Sequence, residues 1–574
     1  MSKISFEAII QRRIGWVLLF FLIIFSLLLG RLFLLLIVYY REYSQLAAKQ
    51  QRLVKDILSE RGMIYAHDRF DTSVALAFNR MEKILVASPK DIEDPQKTAS
   101  FIAKELKLDE KELVKKFSQK EDAYEVVAKR ITPEKVERIE QVKPDGIFFE
   151  EERRRIYPYG TLGAQLIGFV SKEESEEEGR YGAERFYEND LAGIKGLFEG
   201  VKGTSGFWVA LGKRIIRPPK NGSDIVLTVD YNIQQKTEEI LAKTKKKWGA
   251  VSGAILVVEP KSGKILALSV DPAFDPNDFS KEKDFSVFLN PLVESSYELG
   301  SVLKPITMAG GLQEGVVKPD TTYEDPGEIR IGGYKINNFD GKAHGVQTMT
   351  QVLEKSLNTG AVHVARLLGR ERQVDYLKKF GFGVKTGIDL PGEVVGNMSN
   401  LRAGHEIDFA TASFGQGIAV TPLQLAYAIG AIANEGKLMR PYVVEKIIDD
   451  SGNERKIEPQ LTREVISKET AETLTKMLVS AVRAGFENRA GVKGYFVAGK
   501  TGTAQIPRRN GPGYSDKVIH TFVGYAPAFD PRFLVLLQLN EPQGNRFAAN
   551  TLTPAFHDLA EYILNYYEIP PDEK

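Results

Sequence analysis

The chain has 574 residues, and its 77 lysines and arginines against 76 aspartates and glutamates leave a formal charge of +1, which excludes the broad basic footprint of a nucleic-acid-binding protein. Cysteine is absent, so disulfides, thiolate metal sites and cysteine nucleophiles are excluded together, a composition that suits an oxidising exterior. The six histidines lie apart, with no i, i+4 pair of the kind a helical metal site uses, and no metal or other cofactor is expected.

In chain order, residues 1–13 read as a short cytoplasmic tail carrying Lys3, Arg12 and Arg13. Residues 14–36 read as a transmembrane helix, an apolar run interrupted by Ser26, Gly30 and Arg31. About 20 helical residues at roughly 1.5 Å each cross a hydrocarbon core of about 30 Å, so the run is long enough to span. The basic residues before it hold the amino terminus inside, which predicts a single-pass protein of the cell (inner) membrane with everything after the helix extracytoplasmic. A cleaved signal peptide is the alternative, disfavoured by the length of the run.

Residues 37–222 read as a stalk and a non-catalytic pedestal. Leu46, Ala47, Gln50, Leu53 and Val54 give residues 41–55 a modest amphipathic pattern that predicts a helical continuation of the membrane span. Strand-like pieces follow at Arg61–Tyr65 and Ile84–Ala87, then charged helical stretches to about residue 145. Glycine-punctuated segments at 165–170 and 182–193 read as β structure and turns without a catalytic role. Arg217–Gly222, with two prolines and an Asn-Gly, reads as a linker.

Residues 223–568 read as a second, α+β domain, with a short tail at 569–574. A strand at Ile225–Val229 leads into a helix to about Lys245. A hairpin then joins Gly253–Glu259 to Lys264–Ser269. Further strands are predicted at 495–506, 521–526 and 533–539, with a closing helix from Pro554 to Tyr567. Strands at both ends with helices between predict a central antiparallel sheet sandwiched by helices.

Three short strings carry chemistry. In Ser301-Val302-Leu303-Lys304, a glycine precedes the serine and an apolar helical stretch follows, so the hydroxyl and the amine share one helical face. A buried lysine beside another cation can lose its proton and accept one from serine. A second match, Ser280 to Lys283, lies in a run of charges where the amine stays hydrated. Ser356-Leu357-Asn358 puts Ser356 and Asn358 on one side if extended, where the hydroxyl can relay a proton and the amide can hold Lys304 and substrate. Lys500-Thr501-Gly502-Thr503 ends a hydrophobic strand, and Gly502 would admit an extended substrate backbone. A second Lys-Thr-Gly at Lys385 sits among loop residues.

Together with Arg61–Tyr65, Arg155–Pro158, Ile167–Val170, Glu298–Ser301, Gly415–Gly417 and Thr421–Gln424, these strings make the chain resemble the class B penicillin-binding transpeptidases over nearly its whole length. The resemblance implies that Ser301 is a nucleophile acylated by the D-Ala-D-Ala end of a peptidoglycan stem peptide, with Lys304 as its base. It also implies that Ser356 and Asn358 form a relay and positioning pair. Lys500, Thr501, Gly502 and Thr503 would bind the substrate, with backbone N–H groups of Ser301 and Thr503 forming the oxyanion hole. Leu299 stands where the family often has Pro, and Val302-Leu303 replaces a polar-then-aromatic pair. Stem peptides and β-lactams are the implied ligands. A membrane-embedded glycan polymerase and other wall-synthesis or division proteins are the implied partners. The modest support region favours a division enzyme over an elongation one. The rivals are a D,D-carboxypeptidase or β-lactam-hydrolysing relative using the same Ser301 and Lys304, and an inactive scaffold of the wall-building complex.

Overall fold

The computed structural model describes residues 3–35, 39, 52–57, 59–173, 176–202, 208–485, 487–508, 511 and 513–572. The chain divides into two compact units, one of residues 1–60 with 193–221, the other of 61–192 with 222–574.

In the first unit, helix α1 (Lys3–Phe33) is apolar enough to cross a membrane over Gly15–Phe33, where its side chains are exposed all round. The helix takes in most of the expected tail, because no breaker separates Lys3 from the apolar run. Of the expected stalk helix, residues 41–51 lie outside the described residues. The remainder is not helical, since Arg52–Ile57 is a strand, β1. Strand β1 pairs antiparallel with a later segment, Gly196–Lys202, which in turn pairs with Trp208–Arg217, so inter-strand hydrogen bonds override the weak helical pattern.

The second unit holds two large sheets. Strands β2 (Ile64–His67), β3 (Ser73–Ala87), β4 (Glu125–Ala128) and β5 (Ile147–Ile156) join β6 (Asp224–Asp230), Val444–Ile448 and Glu454–Lys456 in one seven-stranded sheet. Within it β2 runs parallel to β6, while β3 pairs with both β4 and β5. The charged helical stretches expected before residue 145 are Pro95–Leu106, Glu110–Phe117 and Pro133–Val142, the first two each capped by an aspartate that accepts two backbone N–H groups.

The five-stranded sheet is antiparallel in the order Ile265–Asp271, Ser252–Val258, Phe533–Asn540, Tyr514–Ala526, Ala498–Pro507. The strand Phe533–Asn540 is buried on both faces, which is why Phe533–Leu539 is an almost unbroken apolar run. Alternate side chains sort cleanly. Ile255, Val257, Phe522, Val535 and Leu537 pack with Ile233, Ile240, Phe556, Leu559 and Ile563 of the helices Tyr231–Trp248 and Thr553–Tyr566. Leu256, Val258, Val523, Tyr525, Leu534 and Leu536 face the other core, with Ile306, Leu425 and Leu474 of the helices Lys304–Gln313, Pro422–Ala433 and Lys468–Gly485. The mixed α+β architecture with a helix-flanked antiparallel sheet is the one the sequence predicts.

The glycine-punctuated segments are not β structure throughout. Ala164–Ile167 and Gly182–Phe186 are short helical turns, and the second delivers Glu184 into the interior. Glu184 is fully buried. Its carboxylate accepts from Arg61 Nε at 2.8 Å, Arg155 Nε at 2.8 Å and the Tyr157 hydroxyl at 3.1 Å. Arg61 also meets Glu188 at 2.8 Å, and Arg155 donates to the Gly62 carbonyl at 2.7 Å. Burial alone would raise the Glu184 pKa, but Arg155 and Arg61 hold it below the usual carboxylate range. The strings around Arg61, Arg155 and Gly182 thus meet in one ionic knot.

Glu184→Gln leaves two buried guanidinium groups facing an uncharged amide, and a loss of about 3–5 kcal/mol in unfolding free energy is expected at pH 7. Denaturant melts of the extramembrane chain measure it. Because the native carboxylate pKa is depressed, the wild-type advantage is present above the unfolded carboxylate pKa and disappears as pH falls through the native value.

Candidate active site

Ser301 sits in a single 3₁₀ turn, Gly300–Leu303, that runs into the helix Lys304–Gln313. Pro305 follows at the second helical position and has no N–H, so the Ser301 carbonyl takes its hydrogen bond from Lys304 N–H instead. In 3₁₀ geometry residues i and i+3 eclipse, which aligns Ser301 with Lys304 more directly than an α-turn would. Gly300 enters the turn at φ +65° and donates its N–H to the Gly415 carbonyl at 3.1 Å. A Cβ on Gly415 would stand 2.2 Å from the Gly300 carbonyl oxygen, so the Gly415–Gly417 string is the backing against which the turn is set. Ser301 itself is half-buried.

Ser356 occupies a position normally left to glycine. The helix Met349–Glu354 closes with Leu357 N–H bonded to Val352 O at 3.0 Å and Ser356 N–H to Leu353 O at 3.3 Å, a Schellman ending whose left-handed residue is Ser356 at φ +53°. A side chain there costs about 1 kcal/mol relative to glycine. The hydroxyl explains its retention: Lys304 Nζ lies 3.2 Å from Ser356 Oγ and 2.5 Å from its carbonyl oxygen, and Lys500 Nζ lies 3.0 Å from the same Oγ.

Both lysines are 1% exposed. Burial, reinforced by the charge of Lys500, pushes Lys304 well below the ordinary amine value, and burial brings Lys500 down to about 7. Two amines around one hydroxyl titrate as a coupled pair. The site therefore holds, one turn from Ser301, an amine whose buried setting favours the uncharged form.

Asn358 does not meet Lys304. The expected extended conformation over 356–358 is absent because Ser356 ends one helix and Asn358 opens the next, Asn358–Leu368. Asn358 Nδ2 donates instead to the Asn337 carbonyl at 2.8 Å, and its N–H donates to Asn338 Oδ1 at 3.0 Å. Lys500, Thr501, Gly502 and Thr503 lie in unbroken register on the edge strand Ala498–Pro507, opposite Val523, Phe522, Thr521 and His520. The space above Gly502 is filled by the chain itself. A Cβ there would stand 2.6 Å from the Leu299 carbonyl and 3.1 Å from Val302 N, so glycine lets the Ser301 turn seat against the strand. Thr503 Oγ1 accepts the Ala548 N–H at 3.1 Å.

The two spurious matches separate on exposure and partners. Ser280 and Lys283 are both exposed, and the Lys385 loop is held by Glu393, which accepts from Thr386 Oγ1 at 2.6 Å and Gly387 N at 3.1 Å. Sequence reasoning gave no role to Glu298, which accepts the Tyr514 hydroxyl at 2.8 Å, or to His520, buried opposite Thr503. Glu298 entered the reading only as the start of the Glu298–Ser301 string, because its partner Tyr514 is distant in the chain.

Residues 253–561 match the model of the penicillin binding protein transpeptidase domain, and residues 56–227 that of the penicillin-binding protein dimerisation domain. Stage V sporulation protein D of Bacillus subtilis is 33% identical over 553 residues, covering 95% of this chain and 84% of that one. Penicillin-binding protein PbpB of Mycolicibacterium smegmatis is 31% identical, covering 89% and 81%. Among solved structures, penicillin binding protein 3 of Mycobacterium tuberculosis in complex with aztreonam superposes with a TM-score of 0.70 at 27% identity, covering 90% of this chain and 98% of that one. With more than half of its residues matched by the transpeptidase model, and a relative a third identical over almost its full length, the chain belongs to the penicillin-binding protein transpeptidase family.

Proposed function

We propose that this protein is a membrane-anchored serine D,D-transpeptidase that cross-links peptidoglycan stem peptides. The observation that carries the reading is the meeting of Lys304 and Lys500 at Ser356, one 3₁₀ turn from Ser301. Relatives named peptidoglycan D,D-transpeptidase support the substrate class: PenA of Neisseria gonorrhoeae, 29% identical over 97% of this chain, and FtsI of Buchnera aphidicola, 29% identical over 78%.

The uncharged Lys304 amine takes the Ser301 proton as Oγ bonds to the penultimate D-alanine carbonyl. Negative charge builds on the carbonyl oxygen, where the N–H groups of Ser301 and Thr503 stabilise it. The amide C–N bond then breaks, and the proton passes from Lys304 through the Ser356 hydroxyl to the leaving D-alanine nitrogen. An amine on a neighbouring strand attacks the acyl-enzyme, returns its proton by the same relay and frees Ser301. Lys500, Thr501 and Thr503 hold the terminal carboxylate, and Asn358, fixed by Asn337 and Asn338, lines the peptide. A β-lactam follows the first half of this path. Helix α1 anchors the enzyme in the cell membrane with the catalytic region outside, where a membrane-embedded glycan polymerase supplies new strands. The FtsI relative supports work at the division septum; the sporulation relative supports a second setting, the wall of a forming spore.

Ser301→Ala abolishes covalent labelling by a fluorescent penicillin, whereas Ser280→Ala labels as wild type; in-gel fluorescence decides, and labelling of Ser301→Ala overturns the assignment. With lipid-linked substrate and an added polymerase, wild type yields cross-linked dimers, and release of D-alanine without dimers would leave a carboxypeptidase. Acylation efficiency also declines as pH rises through about 7, where Lys500 loses the charge that holds the carboxylate. Stopped-flow acylation between pH 5 and 9 tests it, and a flat profile refutes that role.

A further inference from the structure

His520 stands in register with Thr503 across the strand pair Ala498–Pro507 and Tyr514–Ala526, and it is fully buried. Its Nδ1 lies 2.8 Å from the Thr551 hydroxyl and its Nε2 3.1 Å from the Arg546 carbonyl. A carbonyl only accepts, so Nε2 carries the proton and Nδ1 receives the hydrogen bond from Thr551. Burial pushes the ring down to about 4, which keeps it in this neutral form at neutral pH.

The two bonds pin both ends of one turn, residues 546–551. Inside the turn, Ala548 N–H donates to Thr503 Oγ1 at 3.1 Å. An N–H donated into that oxygen turns the hydroxyl proton away from the turn. The same turn presents Phe547 edge-on to Phe339, ring centroids 5.6 Å apart, and Phe339 follows the two asparagines that hold Asn358. The turn is thus held from beneath by His520 and from the side by an aromatic contact.

We propose that His520 is a positioning residue for carboxylate recognition. Acting through Arg546, Thr551 and Ala548, it fixes Thr503 Oγ1 so that its proton is donated to the carboxylate of a bound stem peptide or β-lactam. The inference rests on the reading of Thr503 as a carboxylate ligand. It adds that discrimination for a charged terminus depends on a histidine that touches neither substrate nor the reacting atoms.

The test compares acylation of the purified full-length protein by benzylpenicillin and by its methyl ester, each measured in competition with a fluorescent penicillin. His520→Ala is expected to slow acylation by the acid roughly tenfold, the loss of one oriented hydrogen bond to a charged group, and to leave the ester about unchanged. Thr551→Val, close to isosteric, gives the same selective loss without emptying the core. His520→Gln, which keeps a donor toward Arg546, recovers part of it. Equal losses for acid and ester, or no loss in either variant, overturn the proposal, as does a wild type that does not distinguish the two compounds. Failure of the underlying serine reading shows separately, as labelling that survives Ser301→Ala.

Discussion

Two lysine side chains, each buried from water, converge on one serine hydroxyl, and this enforced proximity of like charges is the constraint around which the catalytic region is built. Both amines cannot stay protonated there without a large desolvation penalty and mutual repulsion. Burial lowers the pKa of both amines, and the charge of Lys500 lowers that of Lys304 further. To hold the arrangement, three separate elements are fixed at backbone level: the 3₁₀ turn by Pro305 and Gly300, Ser356 by the Schellman ending, and Lys500 by an edge strand in continuous register. The lowered pKa of Lys304 is a product of packing and of the Lys500 charge, not of a neighbouring acid.

Much of this was legible in the chain. The alternating and continuous apolar runs that became the five-stranded sheet have their period written in the side chains themselves, and Val302–Leu312 shows its buried helix in the same way. The strings whose lysines meet at Ser356 stood out in the chain because each joins a polar residue to a local geometric device, a glycine before Ser301 or a strand before Lys500. Asn358 was misplaced because period-two reasoning presumes extended backbone, whereas Ser356 is left-handed and a new helix begins two residues later.

What escaped sequence reasoning shares one physical character: it depends on partners distant in the chain. Glu184 looked like one acid among many until Arg61 and Arg155 closed on it. Gly502 looked like a door for substrate, and the space above it belongs to Leu299 and Val302. The stalk pattern over 41–55 was real as a periodicity, but where its end falls in Arg52–Ile57, pairing with Gly196–Lys202 outweighed it. Burial and long-range hydrogen bonding decide such positions, and neither is a property of a window of residues.

The parallel pairing of β2 with β6 bears on how the molecule comes into being. Met63 N–H meets the Asp224 carboxylate at 2.6 Å, a partner 161 positions further along the chain. Synthesis runs from the amino terminus, so β2 keeps one open edge while β3, β4 and β5 are made and until β6 is delivered, and closing so wide a loop is slow. During that interval the unpaired edge of β2 is a template for any other extended chain. The nascent protein has a vulnerable age, which ends when Asp224–Asp230 arrives to pair with β2.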